Sequence, residues 1–350
     1  MRRARLRLER LRRAKRHAEA KEEEGIFALT YKERQRAAIE STVKTVADSC
    51  PNKCQAVWKA VNILTGRKDR AALTSVGETA EARRNNLREF FATVVNAPNP
   101  PPLDATLPAG TPLPAESDFR TDLVTPAEVV ILARQAPGGK ATGPDDVPIE
   151  ALRLPRVATE IARIMNNVLQ GSPAPEEWRT AHVVAVPKIP GTTRKEEHRG
   201  ISIMSCAAKI FNKWLLSRLR PVLDPFLRRE QNVFRPYRST ATQILALRRV
   251  IEEARIFQSS LICVFVDFQK AFDSVSRTAV SSVLRAYNVP MQLIKSIMSL
   301  YDQTKASVVT PDGLSDPFTS TSGVLQGDTL APFLFVLLLD WVLRVAVPSD

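Results

Sequence analysis

Apolar residues recur at three-to-four spacing along much of this chain. That period predicts helices over 31–47, 56–64 and 78–96, then over 125–135, 156–170, 207–223, 240–257, 276–287, 291–301 and 328–345. Short runs rich in β-branched and aromatic residues lie between them and predict strands over 181–187, 261–267, 304–310 and 316–321. Thr125-Pro126-Ala127-Glu128 has the order of a capping box, with Thr at the N-cap, Pro at the first helical position and Glu reaching back, so a folded unit starts there. Pro311-Asp312-Gly313 supplies the residues of a tight hairpin turn between two of the strands. Helices and strands alternate irregularly, which fits an α+β architecture better than a doubly wound sheet. No internal repeat of solenoid period is present.

Composition divides the chain. Residues 1–24 are almost entirely Arg, Lys, Glu, Ala and Leu, a basic helical arm with too few large apolar side chains for a core. A mostly helical spacer follows over 25–96. The stretch 97–117 then concentrates Pro98, Pro100, Pro101, Pro102, Pro108, Pro112 and Pro114, which forbid regular helix, so it is expected to be a linker and a boundary. With 350 residues, 44% of them apolar, the chain has room for two or three units. Its net charge of +13 favours a polyanionic partner, nucleic acid first, although a basic surface also serves solubility alone.

Cys50 and Cys54 have no second Cys or His pair to complete a zinc site, and with Cys206 and Cys263 they are expected to be reduced thiols of an intracellular protein, nuclear or cytoplasmic. The first residues are basic without the apolar segment of a secretory signal. The run Phe333 to Leu339, broken by Asp340, is far too short to span a membrane.

The run Leu261-Ile-Cys-Val-Phe-Val-Asp267 reads as a buried strand delivering a carboxylate to the edge of a sheet, as a metal ligand would be delivered. Alone, such an Asp is more often a turn former. It continues as Phe268-Gln-Lys-Ala-Phe272-Asp273-Ser-Val, and Gly323-Val-Leu-Gln326-Gly327-Asp-Thr-Leu-Ala-Pro332 follows some fifty residues later. This pair resembles motifs A and B of reverse transcriptases, most closely those of non-LTR (LINE-type) retrotransposons. Upstream the resemblance continues, in the family's order, through Lys140-Ala-Thr-Gly-Pro144-Asp145, Val186-Pro-Lys188, His198-Arg199-Gly200-Ile-Ser202 and Gln231-Asn-Val-Phe234-Arg235-Pro-Tyr-Arg238. It covers the chain from about Thr125 onward.

The resemblance implies right-hand polymerase fingers over 118–258 and a partial palm over 259–350 that carries motifs A and B, preceded by the helical extension. It implies an RNA-directed DNA polymerase domain that uses an RNA template, a DNA primer and deoxynucleoside triphosphates, with no membrane partner. Two Mg²⁺ ions would be held in the complete enzyme, Asp267 being the catalytic carboxylate and metal ligand and the backbone carbonyl of Phe268 adding an oxygen. Phe272 falls where the family places an aromatic ring that excludes a ribose 2′-hydroxyl, though an ordinary core aromatic has the same pattern. Gln326 and Gly327 would lie against the incoming nucleotide and template, and Lys188 and Arg199 against the triphosphate, where each is equally well read as a solvated surface charge. Asp273 reads as the cap of the next helix. Arg218, Arg220, Arg228, Arg229, Arg235, Arg238, Arg248 and Arg249 either line a nucleic-acid channel or are solvated helix faces. His17, His182 and His198 lack triad-like company.

Two departures carry expectations. The family's aromatic-Ala-Asp-Asp string is absent from this sequence, so the chain as it stands is expected to have little polymerase activity, or to act as a non-catalytic RNA-binding fragment. Val233 and Tyr237 stand where the family usually has small residues, and the bulky Tyr237 is expected to change that turn.

Overall fold

Capping chemistry and apolar periodicity carry over directly into helices. The structure, a computed structural model, describes residues 41, 79–96, 105–188, 192, 194–310, 312–324 and 327–347. The chain forms two compact units, Met1–Ala72 and Leu73–Asp350. The second is described below. Apart from Ser41, the predicted basic arm, the helices over 31–47 and 56–64, Cys50, Cys54 and His17 lie outside the described residues.

Among the described residues the helices are α1 (Ala80–Val95), α2 (Pro126–Arg134), α3 (Pro155–Leu169), α4 (Cys206–Leu223), α5 (Thr240–Ile256), α6 (Arg277–Ala286), α7 (Met291–Tyr301) and α8 (Ala331–Ala346). The strands are β1 (Thr180–Pro187), β2 (His198–Met204), β3 (Thr304–Thr310), β4 (Gly313–Leu314) and β5 (Phe318–Ser320). The capping box of α2 forms as predicted: the Thr125 amide donates to Glu128 Oε2 at 2.9 Å and the Glu128 amide to Thr125 Oγ1 at 3.3 Å.

Helix α4 is buried along most of its length and is the centre of the larger core, with Ile210, Phe211, Trp214, Leu215 and Leu219 all at 1% exposure or less. Its start is fixed by Ser205, whose hydroxyl accepts from the Ala207 and Ala208 amides and donates to Asp145 Oδ2 at 2.6 Å. A Cβ on Gly143 would lie 2.5 Å from the Ser205 backbone. The Lys140–Asp145 motif therefore acts through packing: its glycine admits the start of α4 and its aspartate holds the cap.

The sheet runs β2-β1-β3-β4, with β5 also on β3; β1 pairs antiparallel with β2 and parallel with β3. Two corrections to the predicted strands follow. Strand β2 was not predicted, because its apolar positions are interrupted by Arg199, Gly200 and Ser202 and only its pairing with β1 reveals it. Conversely 261–267, predicted as a buried strand, is neither paired nor buried; Ile262, Val264, Phe265 and Val266 are 73–88% exposed. An extended segment becomes a strand only when a neighbour satisfies its amides and carbonyls, and none lies beside it among the described residues.

The helix expected on the far side of the proline-rich stretch packs on the sheet instead. Leu87, Phe91 and Val94 of α1 form its buried face, and Leu87 and Phe91 join Val183, Ala306, Val308 and Phe318 in a second, smaller core. Gly200 permits this contact, since a Cβ there would come within 2.9 Å of the Phe91 ring and 3.0 Å of Val183. At the other end Arg83 grips Asp312 of the β3–β4 turn through two hydrogen bonds of 2.7 and 2.8 Å.

Candidate functional site

Three segments converge on one cavity. The end of β1 brings Lys188, strand β2 brings Arg199, and the stretch after the apolar run brings Asp267, Phe268 and Phe272. The cavity has a volume of about 800 Å³, and Phe90 and Phe91 of α1 form part of its wall. The β1–β2 ladder explains how two cations separated in sequence meet. Arg199 is the register partner of Val186, two residues before Lys188, and the Lys188 amide donates to the Glu197 carbonyl at 2.8 Å. Lys188 Nζ donates to the Glu196 carbonyl at 3.2 Å, leaving the ammonium charge itself unneutralised by that contact.

Phe272 has two faces. It lines the cavity and also packs on Phe335, ring centroids 5.3 Å apart, and edge-on to Phe234 at 6.2 Å. The steric and the core reading of this ring are therefore compatible. The ring of Phe268 lies edge-on to Phe335 at 6.2 Å. Gly327 has φ +123, a conformation that favours glycine, and a Cβ there would sit 2.5 Å from the Ser202 carbonyl oxygen. Ser202 itself lines the cavity, so the Gly327 turn abuts it. Gln326 lies outside the described residues.

Asp273 is a correction. The N-cap of α6 is Ser276, whose hydroxyl accepts from the Ala279 amide, while Asp273 lines the cavity. Burial pushes its carboxyl up to about 6, against a smaller opposing pull from Lys270. Two residues capable of capping stand close together in Asp273-Ser-Val-Ser276, and the sequence does not rank them.

Arg277 was missed by sequence reasoning. Its guanidinium donates to the carbonyls of Tyr301, Ser320, Ser322 and Gly323 and to the Ser320 hydroxyl, at 2.6–3.2 Å. Burial lowers it to about 10, a range in which it stays charged at neutral pH. One half-buried cation thus ties the end of α7 and residues 320–323 to the start of α6. Beyond the Gly327 turn Asp328 accepts from Asn212 Nδ2 at 2.7 Å and from the Leu330 amide at 3.2 Å, and burial raises it to about 6.

Several arginines considered for a nucleic-acid channel are committed elsewhere. Arg235 pairs with Asp224 and caps the carbonyls of Arg228 and Gln231. Arg218 pairs with Asp122 and Glu128 and lies over the Trp214 ring. His198 is buried against the Arg194 carbonyl.

As a donor set for a divalent ion, Asp267 offers a hard carboxylate oxygen and Asp273 a second in the same cavity. Among the described residues no three His, Cys, Asp or Glu side chains gather into a metal cluster. These oxygens are hard donors of the kind a divalent cation takes, without closing a shell around one by themselves.

The cavity thus brings together cations at the end of a β ladder, carboxylates and aromatic rings. Residues 186–346 match the family described as reverse transcriptase (RNA-dependent DNA polymerase). The chain is 31% identical over 211 residues to the Retrovirus-related Pol polyprotein from type-2 retrotransposable element R2DM of Drosophila melanogaster, covering 59% of this chain and 19% of that protein. It is 26% identical over 269 residues to the Transposon TX1 uncharacterized 149 kDa protein of Xenopus laevis, covering 75% and 20%. It is 28% identical over 215 residues to the Probable RNA-directed DNA polymerase from transposon BS of Drosophila melanogaster, covering 59% and 23%. Over residues 186–346 the chain is thus similar to reverse transcriptases, and the relatives it resembles are named as proteins of retrotransposable elements. It spans about a fifth of the length of these curated relatives.

Proposed function

We propose that the cavity is the deoxynucleotide site of a template-directed polymerase, with fingers over 118–258 and palm residues over 259–350, acting on an RNA template and a DNA primer. The observation that carries this reading is the convergence of Lys188, Arg199, Asp267, Phe268 and Phe272 on one cavity, although they are spread over more than eighty positions of sequence.

In this reading Lys188 and Arg199 neutralise the triphosphate, Lys as a point charge and Arg through its planar fork of donors. Phe272 presents its ring edge under the sugar and is held there by Phe335 and Phe234, so a 2′-hydroxyl meets a side chain that cannot retreat. Gly327 lets backbone approach the base pair where a side chain would not fit. Asp267 and the Phe268 carbonyl would hold Mg²⁺, which when bound supplies charge stabilisation to the transferring phosphoryl group. Arg277 touches none of these groups in this reading. It positions the segment that leads to Gly327.

The test is titration of the complementary deoxynucleoside triphosphate, with Mg²⁺, into the chain bound to an RNA-template, DNA-primer duplex. Saturable binding is expected, weakened tenfold or more by Arg199→Ala and by Asp267→Ala. Binding unchanged in both variants would overturn the assignment.

A further inference from the structure

Helix α1 lies far upstream of the segment that matches the reverse transcriptase family, yet it forms a wall of the cavity. We infer that α1 belongs to the binding machinery, Phe90 gathering Lys195 and Lys270 into a subsite for phosphate groups. This rests on the nucleotide reading above and extends it to residues that reading does not use.

The geometry begins with Phe91. Its ring is 4% exposed, pressed against Gly200, and its neighbour Phe90 stands edge-on to it with centroids 5.1 Å apart. Phe91 fills the core, which leaves Phe90 half-buried at the cavity with a fixed ring. Two ammonium groups from different segments approach that ring. Lys195 Nζ comes from the turn before β2 and Lys270 Nζ from the Asp267–Asp273 stretch, each 6.0 Å from the centroid. The negative face of an aromatic ring draws cations without neutralising them. Neither lysine forms a salt bridge within 4.0 Å among the described residues, although Lys270 attracts the Asp273 carboxylate. Sharing one ring, the two charges lie within about 12 Å of each other.

Lys270 adds a second, independent sign. Its φ is +51, and among the described non-glycine residues with left-handed backbone it is the one that lines the cavity. Such strain persists where the surroundings over-determine it, typically at ligand sites. The cavity also contains Glu196, Asp267 and Asp273, so it presents charges of both signs. That mixture suits a polyphosphate arriving with a divalent cation better than a bare anion: ammonium groups take the phosphate oxygens while carboxylates take the metal.

The phosphate could belong to a free nucleotide or to a nucleic-acid backbone, and two titrations separate the sources. The first follows Mg²⁺-tripolyphosphate and Mg²⁺-deoxynucleoside triphosphate by calorimetry. The second follows a fluorescent single-stranded RNA by anisotropy. Both use the whole chain, its Lys195→Ala/Lys270→Ala double variant and Phe90→Leu, with melting checked for each. The double variant is expected to weaken tripolyphosphate and deoxynucleotide about tenfold and RNA less than twofold, and Phe90→Leu to give a smaller loss of the same sign. Loss confined to RNA would keep the phosphate subsite and assign it to a backbone phosphate. No loss for any probe, in variants that melt like the parent, overturns the inference. If deoxynucleotide binding still depends on Arg199 and Asp267 in that case, the proposed function survives. If tripolyphosphate binding depends on the two lysines while deoxynucleotide binding is absent, the subsite stands and the polymerase reading falls.

Discussion

Arg277 shows how much one side chain organises. Its five hydrogen bonds tie the end of α7, strand β5 and the turn at Gly323 to the start of α6. Arg277→Ala removes all five donations, leaving the Ser320 and Ser322 carbonyls with one donor each, from Thr304 and Ser320, and is expected to cost about 3 kcal/mol in urea unfolding. Arg277→Lys, with a single point of donation, is expected to recover less than half of that. Nothing in the sequence marks this arginine, because its partners are backbone carbonyls that any sequence possesses. Asp328 makes a different prediction. Burial raises its carboxyl from 3.8 to about 6. A raised folded-state pKa means the proton is held more tightly in the folded chain, so this group favours folding fully below the unfolded value and loses that contribution as pH rises through about 6. Asp328→Asn is therefore expected to gain stability relative to the parent between about pH 4 and about pH 7, read as the difference between urea midpoints at the two pH values. An unchanged difference would contradict the burial of a titrating carboxyl there.

At the scale of elements, apolar period located the helices well. α2, α6 and α7 begin and end within two residues of the expected limits, because each has a cap or a proline at its boundary. What period does not reveal is what covers an apolar face. The stripe of Leu87, Phe91 and Val94 was legible, but its docking on β1, β3 and β5 depends on Gly200, a residue that carries no side-chain signal. Phe91→Ala is expected to cost about 3–4 kcal/mol through the cavity it leaves. Gly200→Val, which drives two methyl groups toward the same ring, is expected to release α1 and expose it to limited proteolysis. The 261–267 run teaches the converse. Its composition is that of a strand, and composition alone cannot supply the neighbouring strand that its backbone requires.

At the scale of the molecule, the described structure has a well-covered core around α4 and one long uncovered stretch. From Phe234 through α5 to Phe268 it exposes Tyr237, Ile244, Leu245, Ile256, Phe257 and most of the 261–266 run. Phe234 and Tyr237 both have positive φ, near +58 and +59, a left-handed backbone that bulky residues rarely adopt. Exposed apolar surface on this scale binds hydrophobic dyes and self-associates. The chain is expected to do both, and Val264→Lys with Phe265→Asp is expected to reduce dye binding while changing stability by less than about 0.5 kcal/mol. The α+β class was readable from the order of elements, and five residues singled out from ordered motifs, Lys188, Arg199, Asp267, Phe268 and Phe272, share one cavity. The contribution of α1 to the cavity was not, since the proline-rich stretch after it reads as a boundary.

The most direct test of the nucleotide cavity is sugar discrimination at Phe272. Affinities for the complementary deoxynucleoside and ribonucleoside triphosphates are compared on the chain bound to an RNA-template, DNA-primer duplex, for the parent and for Phe272→Val. A preference of tenfold or more for the deoxynucleotide in the parent is expected to shrink to within about threefold in the variant, through tighter ribonucleotide binding, as removal of a steric wall requires. Equal preference in both proteins would contradict the placement of the nucleotide sugar on this ring.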